Sequence, residues 1–280
     1  MRPTTTLVLA LCLLLSGCLE GTVAPSTERE PEILLHVTGG FAGVDYVILV
    51  DGSQGEVVGV SCVSGCDFGS GQILHGLTMD QVASLTNLFL EAGIHDLDGT
   101  DFGEECCDQL HYDLSYTDRT GSSSVQGSSE AFPSNLREAI GTVAGFAAGV
   151  FPIVVDHETN PELWPRDPVV IREVAIHGDR LDLEVSYGGG CATHHFDLVA
   201  FGGWMESFPV QIQAFLSHDG NGDMCEAWIE RDLSFDLKPL RRAYEESYGV
   251  SEPGSTTVVI VLDSLGIASS MGWLPFEYVF

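Results

Sequence analysis

Short alternating stretches of apolar and polar residues, punctuated by glycine, dominate the chain. Residues 33–37 (ILLHV) read as a strand, the segment 39–43 (GGFAG) breaks it, and residues 46–50 resume it. Asp51-Gly52 is a hairpin signal, so residues 56–61 are expected to pair back. Thr78 and Gln81 have the spacing of a capping box, and Val82, Leu85, Leu88, Phe89 and Ala92 behind them share one helical face. Gly93 suits the left-handed stop of that helix. Residues 109–117 alternate again, with Leu110, Tyr112, Leu114 and Tyr116 on one side; 118–121 turn, and 122–127 return. Pro133 opens a second helix over 134–149. The order βββαββα over 33–150 predicts an α+β domain, an antiparallel sheet with two helices on one face.

The pattern then changes. Pro152, Pro161, Pro165 and Pro168 stop any long helix, so 151–168 is expected to be a linker. Strands are expected at 169–177 and 180–187 around Gly178-Asp179, then at 194–201, 208–218, 224–235 and 256–262. A helix starts at Pro239, and Gly249 stops it. Short strands joined by tight turns predict a mainly-β, antiparallel, sandwich-like domain over 169–280. The tail from 264, carrying Trp273, Phe276, Tyr278 and Phe280, is expected to cap an open hydrophobic edge.

The N-terminus changes the picture of location. Arg2 precedes an apolar run at 7–15, which is too short to span the roughly 30 Å of a bilayer core. The run ends in Leu15-Ser16-Gly17-Cys18, which resembles the lipobox of bacterial lipoproteins. That resemblance implies a signal peptide over 1–17, lipidation of Cys18 with two or three acyl chains, and stable anchoring through them. Residues 18–32 then read as a polar tether. Leu19 after the cysteine favours the outer membrane or cell surface.

Eleven Lys and Arg stand against 41 Asp and Glu, a formal net charge of −30. A field of this sign repels phosphate backbones, so nucleic acid is excluded as a partner, and anionic lipid is expected to meet only the acyl chains. Six cysteines remain once Cys12 is cleaved off and Cys18 is acylated: Cys62, Cys66, Cys106, Cys107, Cys191 and Cys225. In an oxidising compartment the expected pairing is Cys191 with Cys225, and Cys62 and Cys66 with Cys106 and Cys107 in some order. A zinc site built from those last four is the rival arrangement.

The GGFAG segment between two strands, the capped helix ending LEAGIHDL, and the strand pair with its closing helix together resemble the emfourin family. Emfourins are small bacterial inhibitors of thermolysin-like metalloproteases, so the resemblance implies an inhibitory domain over 33–150 and a secreted metalloprotease as partner. Phe41 becomes a candidate binding residue if it is exposed. The four cysteines of this half are not part of the family pattern. The series YGGGC, HHF, ESFPVQ, HDGNGD, CEAW and LSFDL in the second half is similar to a module of bacterial surface lipoproteins, from which no chemistry is carried over.

The densest chemistry is around the 191–225 pair. His194, His195, His218, Asp219 and Asp223 offer imidazole and carboxylate ligands that suit zinc or another divalent ion. Strand alternation sends His194 and His195 to opposite faces, however, so the cluster also reads as structural. Residues 219–223 (DGNGD) have the oxygen spacing of a calcium loop, but Met224 stands where such a loop needs glycine. Asp96, Asp98, Asp101, Glu104, Glu105 and Asp108 form an acidic run suited to solvent or to a basic partner. No nucleotide-binding loop or common hydrolase motif occurs. The sequence therefore predicts a non-enzymatic, lipid-anchored binding module with no resident cofactor and protease inhibition as one form. A divalent-metal-binding envelope protein is the alternative.

Overall fold

The computed structural model describes residues 30–40, 42–62, 66, 71–103, 109–128, 130–249, 254, 256–263 and 273–280. Cys18, Phe41, Cys106 and Cys107 lie outside the described residues. Among the described residues, three sheets and three helices make a β-rich, sandwich-like fold.

The first half is a seven-stranded sheet. Its centre is β1 (Glu32–Gly39), paired antiparallel with β2 (Val44–Asp51) and β6 (Leu110–Thr117). Outside these lie β3 (Glu56–Ser61) and β4 (Gln72–Gly76) on one side, and β7 (Ser122–Ser128) and the short β5 (Thr100–Asp101) on the other. Alternation in β1 buries Ile33, Leu35 and Val37 in a core shared with α1 (Met79–Glu91) and α2 (Ser134–Ala147). Leu34 faces the opposite side, in a small cluster with Val47, Val60 and Cys62. The capping box forms as expected: Thr78 Oγ1 accepts the Gln81 N–H at 3.2 Å, and Gln81 Oε1 accepts the Thr78 N–H at 2.7 Å. Gly93, at φ 72°, ends the helix where a side chain would be strained.

Two sheets make up the second half. One orders β10 (Val170–His177), β11 (Arg180–Gly189), β14 (Ala227–Asp236) and β8 (Val150–Pro152). The other orders β16 (Trp273–Val279), β15 (Thr257–Asp263), β13 (Val210–Asp219), β12 (His195–Met205) and β9 (Val154–Asp156). Three pairings are parallel, β8 with β14, β9 with β12 and β13 with β15, which corrects the expectation of an antiparallel sandwich. The crossover that the parallel pair β13 and β15 requires runs through β14 and helix α3 (Lys238–Tyr248). The tail adds β16 as an edge strand, with Tyr278 and Phe280 buried.

The expected linker is also different. Residues 150–156 send one short strand into each second-half sheet, because their apolar run can bury itself only if its backbone groups find partners. Proline excluded a helix there without excluding edge strands. The halves share one core: Phe151 stacks on Phe146 at 5.8 Å and on His75 at 3.9 Å. A further correction concerns the cysteines. Cys62 is bonded to Cys66 rather than to Cys106 or Cys107, and their Cα atoms lie 4.3 Å apart. Cys191 is bonded to Cys225. Among the described residues, no helix is long and apolar enough to cross a membrane.

Candidate functional site

The Cys191–Cys225 bridge ties the end of β11 to the loop after β13, and a buried polar chain runs beneath it. Asp223 anchors it. Its Oδ2 accepts N–H groups from Gly190, Cys191 and Ala192 at 2.8, 2.8 and 2.9 Å, and its Oδ1 accepts the Cys225 N–H at 2.8 Å. The N–H groups of Cys225, Ala192 and Cys191 hold its carboxyl well below the usual carboxylate range. An ionised carboxylate only accepts, so His194 Nε2, 3.2 Å away, donates to it. His194 Nδ1 then meets His218 Nε2 at 2.8 Å, and His218 Nδ1 faces the Asp167 carbonyl at 3.1 Å. Tyr187 and Phe196 flank the imidazoles; the Phe196 and His218 rings stack at 4.4 Å.

The chain has a proton requirement. Three hydrogen bonds along four ring nitrogens need three N–H groups, and two neutral imidazoles supply two. With both rings neutral, one of the three contacts lacks its proton. Burial disfavours a charged ring and pushes His218 down, and the neighbouring His194 pushes the same way.

Of the five expected metal ligands, the fold draws three, His194, His218 and Asp223, into this hydrogen-bonded line. His194 and His218 are buried, and both use their nitrogens within the chain. His195 lies on the opposite side of β12, half-exposed and in register with Asp219, whose Oδ1 accepts the Asn221 N–H at 2.8 Å. Asp223 saturates both oxygens with backbone donors, which leaves residues 219–223 as an Asx-type turn. Two other His, Cys and Asp groupings come close among the described residues, but each contains a bonded cystine in place of free thiolates. Sequence reasoning missed Asp167, which holds the line from the far end through its carbonyl and the Gly220 N–H on its Oδ2 at 2.7 Å. No local pattern marks it.

Beside this chain lies a cavity of about 430 Å³, bordered by Arg166, Tyr187, Leu216 and the exposed Trp228. A second concavity, of about 320 Å³, opens where the halves meet, between α1, residues 152–156 and α3. Leu85, Leu88, Ile153, Val154 and Val155 give it an apolar floor. Asp80, Glu91, Asp156 and Glu246 surround it, and its one cation, Arg242, is paired with Glu138 of α2. Gln81 anchors its wall by donating to Asp197 at 3.3 Å. These residues come from four separate stretches of chain, so spacing within any one of them carried no signal.

No family description matches the chain, and no curated protein does. Solved structures overlap it loosely. A NigD-like immunity protein from Bacteroides caccae is 12% identical, covers 89% of this chain and 96% of its own, and has a TM-score of 0.34. A candidate lipoprotein from Bacteroides fragilis is 10% identical over 89% and 96%, with a TM-score of 0.33. A protein of unknown function from Bacteroides vulgatus is 8% identical over 89% and 90%, with a TM-score of 0.32. Overlap of this kind transfers no residue role to this chain.

Proposed function

We infer that the chain is a non-enzymatic binding protein of the bacterial envelope, held at the membrane by lipid on Cys18. Its partner-binding surface is the cleft between the halves. The observation that carries this reading is an apolar floor ringed by Asp80, Glu91, Asp156 and Glu246 on a chain of net charge −30. A partner segment with Lys or Arg beside apolar side chains matches both features, and the long-range field speeds its encounter in a salt-dependent way. The buried histidine chain supports a structural role for the second half, since its nitrogens are committed to one another and to fixed acceptors. Inhibition of a secreted thermolysin-like metalloprotease is a finer form of the same reading and rests on the resemblance around Phe41.

The test is fluorescence anisotropy with the full chain and two labelled peptides, one alternating Lys and Leu, the other Glu and Leu. The Lys peptide is expected to bind saturably, more weakly as salt rises, and at least tenfold more weakly to an Asp80→Lys/Glu246→Lys variant. Equal affinity for both peptides, or an unaffected variant, retires the cleft. The same protein added to a thermolysin-like protease decides the inhibitor form; an unchanged rate at micromolar concentration retires it. Mass spectrometry of the N-terminal peptide checks acylation at Cys18.

A further inference from the structure

The face of the first-half sheet opposite α1 and α2 carries a second group of reactive side chains. The alternation that sends Ile33, Leu35 and Val37 into the core turns His36 to the other side, with Leu34. Asp45, two positions before Val47 on β2, shares that side, and Cys62 follows the end of β3 there. An imidazole nitrogen of His36, a carboxylate oxygen of Asp45 and the sulfurs of Cys62 and Cys66 all lie within 4.8 Å of one another. His36 Nε2 meets Asp45 Oδ1 at 2.8 Å, and both side chains are partly exposed. Three neighbouring strands assemble the group, which belongs neither to the histidine line nor to the cleft between the halves.

The bond at the centre of this group can open without unmaking the fold. Cys62 and Cys66 are 4 positions apart, so their bond closes a small loop and joins no two elements. Cys62 keeps its place by other means: its N–H donates to the Asp45 carbonyl at 2.9 Å, and its side chain packs with Leu34, Val47, Val58 and Val60. Cys66 is exposed. An accessible sulfur bonded to a buried one gives an incoming thiolate one atom to attack and fixes which sulfur departs. Cys191–Cys225 is the internal contrast. It spans 34 positions, ties the end of β11 to the loop after β13, and is grouped with Asp223, whose oxygens are taken by backbone N–H groups, and with no imidazole. A carboxylate alone beside a departing thiolate opposes it by charge. An imidazolium held by that carboxylate supplies the proton that removes the charge.

We propose that Cys62–Cys66 is a thiol–disulfide exchange site for a dithiol reductant, with His36 as proton donor to the departing sulfur and Asp45 as the residue that positions His36. One thiolate of the dithiol attacks Cys66 Sγ and forms a mixed disulfide as the Cys62–Cys66 bond breaks. The electron pair of that bond goes to Cys62 Sγ, which takes a proton from the His36 imidazolium. The second thiolate of the reductant then attacks the reductant's own sulfur in the mixed disulfide and releases Cys66. Of the two protons the dithiol sheds, one returns to His36 and the other goes to Cys66. The cystine gains two electrons, and the dithiol, now a disulfide, loses two. The exchange site lies on the face opposite the helices, so Asp80→Lys/Glu246→Lys leaves it intact and the two readings fail independently.

The experiment exposes the folded full chain to dithiothreitol, stops the reaction at intervals with an alkylating reagent, and reads each cysteine by peptide mass spectrometry. Cys62–Cys66 is expected to open at least tenfold faster than Cys191–Cys225, with the circular dichroism of the chain unchanged. His36→Gln is expected to slow that opening at least tenfold and to leave Cys191–Cys225 as it was, with added imidazole restoring part of the rate. Asp45→Asn is expected to slow it several-fold, and carries the same comparison if His36→Gln fails to fold. The direction separates a proton donor from a structural contact, because loosening the site would expose the bond and speed its reduction. Equal or reversed order of the two disulfides, or opening of Cys62–Cys66 that His36→Gln leaves unchanged or accelerates, overturns the proposal.

Discussion

Gly189→Ala probes the buried histidine chain most directly. A Cβ at Gly189 would stand 2.5 Å from His194 Nε2, 2.7 Å from its Cε1 and 3.1 Å from Asp223 Oδ2. Ordinary contact lies at about 3.5 Å, so the ring must retreat by about 1 Å. That movement breaks the bond to Asp223, already 3.2 Å long, and misaligns the 2.8 Å contact with His218. Overpacking costs about 1–3 kcal/mol. A buried polar group left unpaired costs about 1–3 kcal/mol more. A total near 3 kcal/mol lowers the melting temperature of a chain this size by about 6–12 °C. Thermal unfolding followed by circular dichroism measures it. If the clash is the cause, adding His194→Ala to Gly189→Ala costs much less than His194→Ala alone, which a double-mutant cycle reads as coupling. A loss of less than about 2 °C, or additive substitutions, would refute the argument.

Acid should weaken the fold in two steps. His218 is depressed in the folded chain, so below its unfolded value of about 6.5 the unfolded state binds more protons and stability falls with pH. Asp223 is depressed as well; its contribution is present above about 3.9 and is lost as pH drops below that. Urea unfolding between pH 7.5 and 3 checks both, and a flat profile from 7.5 to 5 contradicts the histidine reading. The two disulfides should differ in weight. Cys191–Cys225 closes a separation of 34 residues and Cys62–Cys66 one of 4. Loop entropy then gives about 4 kcal/mol for the first and about 2 kcal/mol for the second. Cys191→Ser/Cys225→Ser should lower the urea midpoint more than Cys62→Ser/Cys66→Ser, and the reverse order would argue against it.

Much of the local architecture was legible. The Thr78–Gln81 box, the Gly93 stop, the Asp51-Gly52 and Gly178-Asp179 hairpins and the helix between Pro239 and Gly249 are set by residues within a few positions of one another. Their physics is contained in the segment, so reading the segment suffices. The opposite placement of His194 and His195 followed from alternation alone. Short parallel edge strands were not legible. A run such as 150–156 becomes β8 and β9 only because β14 and β12 present open edges to it. Cysteine pairing within the first half misled for a related reason: the partner depends on which Cα atoms the fold brings close, not on how many cysteines remain.

The chain by itself determined its charge, its cysteine supply and the sense of most hairpins, because each depends on composition or on neighbouring residues. Tertiary structure alone decided which groups meet. Asp167 reaches His218 across 51 positions, Gln81 reaches Asp197 across 116, and Arg242 reaches Glu138 across 104. Contacts between distant segments form only once a shared core has set their distance, and no spacing along the chain encodes that.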